Sequence, residues 1–302
     1  MEFITFTLLL SVFTWSLFYD LRLIYIFSFI VVIYVIFDLI ARRNARTSLS
    51  QKLRIANWDD MGEPTSIIKL NVELETVDQF LMEYNKQNPD NPLSYIHFAA
   101  RSMAEAVSFD KNYSGKICLG NFYYDDSVKF TVMDRFINSK GEEEFKTVFL
   151  DDVKNKNLKD IQTDIKKGIE EDYHIHMGWV TKVPFYIVDW IVRLSFFISY
   201  EIGLPMKFFN IRKNHFGYGF IINTGAYDIQ NLVYPLINVA RTPFIVTIGK
   251  PFKKPKVVDG KLVIKKLLQF NVTGDHRFGD GSYVRTMIQK MKAVWAKPEE
   301  HI

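Results

Sequence analysis

The residues whose types and spacing could do chemistry lie near the C-terminus, in Gly274-Asp275-His276-Arg277-Phe278-Gly279-Asp280-Gly281. A histidine and an aspartate four positions apart, inside a glycine-rich turn, put a titratable imidazole near a carboxylate. Such an imidazole can take the proton of a hydroxyl or thiol as that group attacks a carbonyl. Whether the carboxylate orients the ring cannot be read from spacing, and structural histidines and Asp-Gly turns are common. Other groups point elsewhere. His174-Ile175-His176 offers two imidazoles without an identifiable converging cysteine or acid, so no metal site is expected. His97, on a helix among apolar neighbours, reads as a structural histidine. Gly279-Asp280-Gly281 is turn chemistry, because no G-x-x-x-x-G-K unit accompanies it.

The elements that must position the turn are legible from periodicity. Ser66 to Leu74 alternates apolar and polar residues as a half-buried strand does. Val77 to Gln87 follows as a helix that Thr76 or Asp78 would cap, and Asn88-Pro89-Asp90-Asn91-Pro92 breaks the chain. Ser94 opens a second helix, with Ile96, Ala99, Ala100, Met103, Ala104 and Val107 at helical spacing. Strands are predicted at 116–123, 127–134 and 144–149, and an amphipathic helix at 156–171. Residues 217–223 and 242–249 read as core strands. Residues 262–273 read as a strand that delivers the chain into the turn, and Ser282 to Trp295 as a closing helix. Residues 184–200 are apolar nearly all round, which suits a buried helix, a membrane interface or the wall of a greasy pocket.

Bulk properties exclude several classes. The 302 residues are 48% hydrophobic and 24% charged, with a formal charge of +4. That charge, without a basic stripe carrying interleaved aromatics, gives no reason to expect nucleic acid as a partner. One cysteine, Cys118, allows neither an internal disulfide nor a thiolate metal cluster. The first forty residues differ from the rest. Two apolar runs, Phe3 to Tyr19 and Leu23 to Ile40, flank Asp20 and Arg22, and Arg42, Arg43 and Arg46 follow. The second run would span about 27 Å as a helix, close to a bilayer core. A signal peptide would carry a basic start and a small-residue cleavage site, and neither is present. The expected organisation is a transmembrane anchor of one or two helices at 1–43 and a linker at 44–65. A domain at 66–297, with a hydrophobic insertion at 178–210, and a tail at 298–302 complete it. The arginines place the domain on the cytoplasmic side.

The turn resembles the D-H-R-x-x-D-G motif of the acyltransferase (E2) domain of 2-oxo acid dehydrogenase complexes, whose H-x-x-x-D-G signature is shared with chloramphenicol acetyltransferase. The segments GYGFIINTG (217–225), YPLIN (234–238) and FIVTIG (244–249) resemble further motifs of that family, in the same order. Leu93 to Val107 resembles its early helix. The resemblance covers residues 66–295. It implies an α/β, chloramphenicol acetyltransferase-like domain with a mostly antiparallel mixed sheet flanked by helices, here preceded by N-terminal transmembrane helices. It also implies a homotrimer with the active site between subunits.

In that reading His276 is the general base and Asp280 the acid that holds its loop, while Arg277 matches the motif with a structural role. Arg277, Asn223 and Gly281 are the expected substrate-binding positions. The family places an oxyanion-stabilising serine where this chain has Ile222, and strand alternation makes Thr224 the better-facing substitute, ahead of the Asn223 amide. The chain shows no lipoyl domain, and the 178–210 insertion has no counterpart in the E2 pattern. The implied activity is transfer of an acyl group from a thioester, acyl-coenzyme A foremost, to a hydroxyl, amine or thiol of an acceptor that the membrane setting suggests is lipid-like. The alternative is a non-catalytic, E2-like trimeric membrane scaffold or partner-binding protein. A third reading is a subunit that receives acyl groups from a lipoyl domain on another chain.

Overall fold

The computed structural model describes residues 25–33, 36, 65–109, 115–118, 120–124, 128–137, 141, 143–171 and 185–302. Residues 25–33 and 36 are helical and mostly exposed. The rest of the two expected membrane runs, the 44–64 linker and the His174/His176 pair lie outside the described residues. Among the described residues no helix is long and apolar enough to cross a membrane.

A seven-stranded mixed sheet organises the domain. Strands β1 (Thr65–Glu73), β4 (Phe130–Ile137), β5 (Glu143–Leu150), β6 (Gly219–Asn223), β7 (Phe244–Ile248), β8 (Phe252–Val258) and β9 (Lys261–Asp275) form it. They run in the order β1-β9-β7-β6-β4-β5, with β8 also on β9. The β4–β6 and β6–β7 pairs are parallel and the others antiparallel. Strand β9 is the longest, at 15 residues. Its C-terminal part is clasped by β1 and β7, and its start pairs with β8 around the Asp259-Gly260 turn, where both residues take positive φ.

Helices α1 (Glu75–Gln87), α2 (Tyr95–Ser108), α3 (Leu158–Glu170) and α5 (Gly281–Ala296) contribute apolar faces to one core; α4 (Phe185–Phe197) belongs to the insertion. On α5 the buried residues Tyr283, Met287, Met291, Val294 and Trp295 recur at helical spacing. The Trp295 ring packs on Phe98 of α2 and Phe270 of β9, with centroids 5.5 and 5.4 Å apart. On the other face Phe220, Ile222 and Ile245 gather Leu236 and Ala240 into a second, smaller cluster. Alternation along β6 therefore sends Ile221 into the main core and Ile222 to the opposite face.

Three local expectations need correction. The predicted strand at 116–123 is two, β2 (Gly115–Cys118) and β3 (Asn121–Tyr124), because Gly120 at φ +71° turns the chain back into an antiparallel pair. The predicted strand at 127–134 begins at Phe130 and continues to Ile137. Neither Thr76 nor Asp78 caps α1, which starts at Glu75 behind Leu74. The Asp78 carboxylate instead accepts from the Tyr95 hydroxyl and, at 2.6 Å, from Lys266.

Candidate active site

Strand β9 carries His276 to the end of the sheet. Its neighbours in the turn are fixed by backbone and side-chain bonds. The Asp275 amide donates to the Pro243 carbonyl at 2.9 Å. The Asp275 carboxylate, fully buried, accepts from Arg277 Nε at 3.0 Å, from Arg277 NH2 at 2.7 Å and from the Arg277 amide at 2.9 Å. This forked pairing closes a loop over two residues with His276 at its apex. Phe278 is buried and meets Phe122 edge-on, at 5.7 Å between centroids. Gly279 has to be glycine: a Cβ there would stand 2.1 Å from the Tyr283 ring. Asp280 is the N-cap of α5, accepting from the amides of Ser282 and Tyr283 at 3.1 Å and from the Ser282 hydroxyl at 2.7 Å. Gly281 is the first residue of α5, with open space where a side chain would project. His276 itself is partly exposed between these two anchors.

The expected site residues fall into two groups. His276, Arg277, Asp280 and Gly281 share the turn. Asn223, Thr224 and Ile222 sit at the other end of the sheet, since Ile222 is level with Thr247 of β7, and Thr247 with Asn271 of β9. Asn271 precedes His276 by five residues, which separates the two levels by about 16 Å along the strands.

Within the second group the hydrogen bonds are already assigned. Strand β6 ends at Asn223, so the alternation that favoured Thr224 stops before it. The buried Thr224 hydroxyl donates to the Ile248 carbonyl at 3.0 Å, and its amide donates to the same oxygen at 2.9 Å. With its proton given to a carbonyl, that hydroxyl has none for an oxyanion in this arrangement. The Asn223 amide donates to Asp134 at 2.9 Å, and its carbonyl accepts from the Ala226 amide.

Asp134 was not singled out by the sequence, although an acid directly after the uncharged run Phe130-Thr131-Val132-Met133 was a signal. It is buried, and burial pushes its carboxyl up to about 6 against the pull of Asn223 and the Arg135 amide. His97 has a structural role: the Ser94 amide donates to its Nδ1 at 2.9 Å, and burial pushes the imidazole down to about 4.

The described part of the 178–210 insertion packs against β2 and the 238–241 turn. It runs from α4 into a π-type turn at Ile198–Ile202. There the Glu201 carboxylate pairs with Arg241, and the Glu201 carbonyl accepts from the Cys118 thiol at 3.3 Å. Burial raises the Tyr200 phenol well above its ordinary range. On α4, Arg193 and Leu194 are exposed, while Ser195 and Phe196 are buried.

Comparison with known proteins bears on the fold. Residues 216–302 match the model of the family described as 2-oxoacid dehydrogenases acyltransferase (catalytic domain). The probable dihydrolipoamide acetyltransferase from Listeria monocytogenes superposes with a TM-score of 0.54 at 13% identity, over 82% of this chain and 88% of that one. The dihydrolipoamide acetyltransferase of Azotobacter vinelandii gives 0.53 at 12% identity, over 83% and 87%. The cubic core of a pyruvate dehydrogenase multienzyme complex gives 0.54 at 11%, again over 83% and 87%. No curated protein matches the sequence. The fold over most of the chain is thus that of the dihydrolipoamide acetyltransferase structures. More particularly, the chain is similar to the acyltransferase catalytic domain of the 2-oxoacid dehydrogenases, by sequence in its C-terminal part and by fold over most of its length.

Proposed function

We propose that the protein is a membrane-anchored acyltransferase in which His276 is the general base. The observation that supports this best is the turn itself: an imidazole partly open to solvent, fixed on one side by the Asp275–Arg277 fork and on the other by the Asp280 cap. In the proposed step His276 takes the proton of an acceptor hydroxyl, amine or thiol as that atom attacks the thioester carbonyl. The tetrahedral adduct then expels the thiolate, which recovers the proton from the imidazolium and leaves as free thiol. The donor is acyl-coenzyme A, and the acceptor is lipid-like, in keeping with the apolar N-terminus. Asp280 and Arg277 act by positioning, and no metal takes part.

The distance between the His276 turn and the Ile222/Asn223 group supports a homotrimer, in which the turn of one copy meets the β6 end of the next. The arginines after residue 40 support an orientation with the domain on the cytoplasmic side. A non-catalytic trimeric scaffold is the second reading, favoured by one observation: Ile222 stands where the family resemblance expects a serine.

The test is thioester turnover by the full chain in detergent, with a panel of acyl-coenzyme A donors, lipid extracts and dihydrolipoamide as acceptors, alongside sedimentation equilibrium. Turnover by a trimer supports the proposal, and a preference for lipoyl acceptors would move it to the lipoyl-dependent variant. A folded trimer inert with every donor and acceptor supports the scaffold.

A further inference from the structure

A cavity of about 240 Å³ opens where the start of β4, the end of β5 and the 212–217 loop meet. It belongs to neither group of expected site residues. Phe130, at its floor, is level with Gly219, then Phe244, then Gly274, which puts it three strands, about 14 Å, from the His276 turn.

Its lining combines cations with aromatic rings. Lys129 and Arg212 face a single carboxylate, Asp151, and Lys213 is part of the lining. His215 lines the cavity as well, but burial and the neighbouring Arg212 push its imidazole down to about 4, so it is neutral near pH 7. Lysine and arginine side chains therefore outnumber the one carboxylate of the lining. Asp151 offsets them only in part: it is half-exposed, and its contacts to Lys129 and Arg212 are both 3.3 Å, longer than a well-made charged hydrogen bond. The Arg212 guanidinium lies 4.1 Å from the centre of the Phe149 ring, and its buried Nε–H has no hydrogen-bond partner among the described residues.

We propose that this cavity binds a phosphomonoester dianion. An excess of cations over the single carboxylate suits an anionic group. Arginine's planar fork suits its oxygens, and the Phe149 and Phe216 rings suit an apolar or aromatic group beside it.

The probe is phenyl phosphate, titrated calorimetrically into the full chain in detergent, with phenol as the uncharged control. Phenyl phosphate binds and phenol does not. Arg212→Gln weakens binding about tenfold, and Asp151→Asn, which removes the competing carboxylate, strengthens it. The second variant keeps the proposal testable if the first fails to fold. Two further arms separate the sources of the group. A preference for coenzyme A over dephospho-coenzyme A that Arg212→Gln abolishes assigns it to a soluble nucleotide. A preference for phosphatidic acid vesicles over phosphatidylcholine, abolished likewise, assigns it to a lipid. No saturable binding of phenyl phosphate overturns the proposal, as does binding unchanged in both variants.

Discussion

Ile222 and His276 stand at opposite ends of the same sheet. Ile222 is level with Thr247 and Asn271, five residues before His276 on β9, while Phe244 at the far end of β7 is level with Gly274. A single copy therefore cannot bring the two residues to one reacting carbon, and in the proposed enzyme a second copy supplies the missing side. In that proposal the side chain facing the imidazole would be Ile222, which within its own copy packs with Phe220, Leu236 and Ala240.

Replacing that side chain tests how much an oxyanion donor is missed. Ile222→Ser is expected to raise kcat about tenfold, part of the 100- to 1,000-fold that one such donor can carry. The loss of buried apolar volume is expected to lower stability by about 3 kcal/mol. Steady-state kinetics and urea denaturation measure the two effects separately.

Thr224 makes the complementary case. Its hydroxyl is bound to the Ile248 carbonyl, so Thr224→Val is expected to cost about 1 kcal/mol of stability and leave kcat unchanged. A large fall in kcat in a folded variant would return Thr224 to the oxyanion site.

Arg277→Gln removes the partner of a fully buried carboxylate. About 3 kcal/mol of stability should be lost, because an uncompensated buried charge remains. Adding Asp275→Asn should recover part of that loss, and a double-mutant cycle by chemical denaturation reads the coupling.

Two buried groups give opposing pH dependences. Asp134 is pushed up to about 6, so the fold favours its neutral form, and that contribution is complete below about pH 4 and lost as pH rises through 6. His97 is pushed down to about 4, so the fold again favours the neutral form, but here the contribution is complete above about pH 6.5 and lost on acidification. Each amounts to about 3 kcal/mol at full titration. Asp134→Asn should therefore lose stability more steeply than wild type between pH 7 and 4.5, and His97→Gln less steeply. Urea midpoints across that range decide it; parallel curves for all three proteins would contradict both assignments.

The sequence carried the parts of this structure that are set by local periodicity. Alternation at 66–74 and 262–273 marked β1 and β9, and helical spacing from Ser282 to Trp295 marked α5. The resemblance of the DHR turn, with GYGFIINTG and FIVTIG, pointed to the mixed sheet and its helical cover. Failures came where one residue changes the rule. Gly120 splits a run of apolar residues into a hairpin, and the end of β6 at Asn223 removes Thr224 from the alternation that recommended it. Asp78 has the composition of a cap, yet it is drawn to Tyr95 and Lys266 across the fold. The cationic cavity was invisible, because Lys129, Asp151 and Arg212 are far apart in the chain and only strand order brings them together.

The central claim is that His276 moves the proton in acyl transfer. Its most direct test is kcat for thioester turnover by wild type and His276→Ala, both shown to be folded and of the same oligomeric state. The account predicts a fall of about 100-fold or more, as expected for loss of a positioned general base. Turnover unchanged by His276→Ala would contradict it.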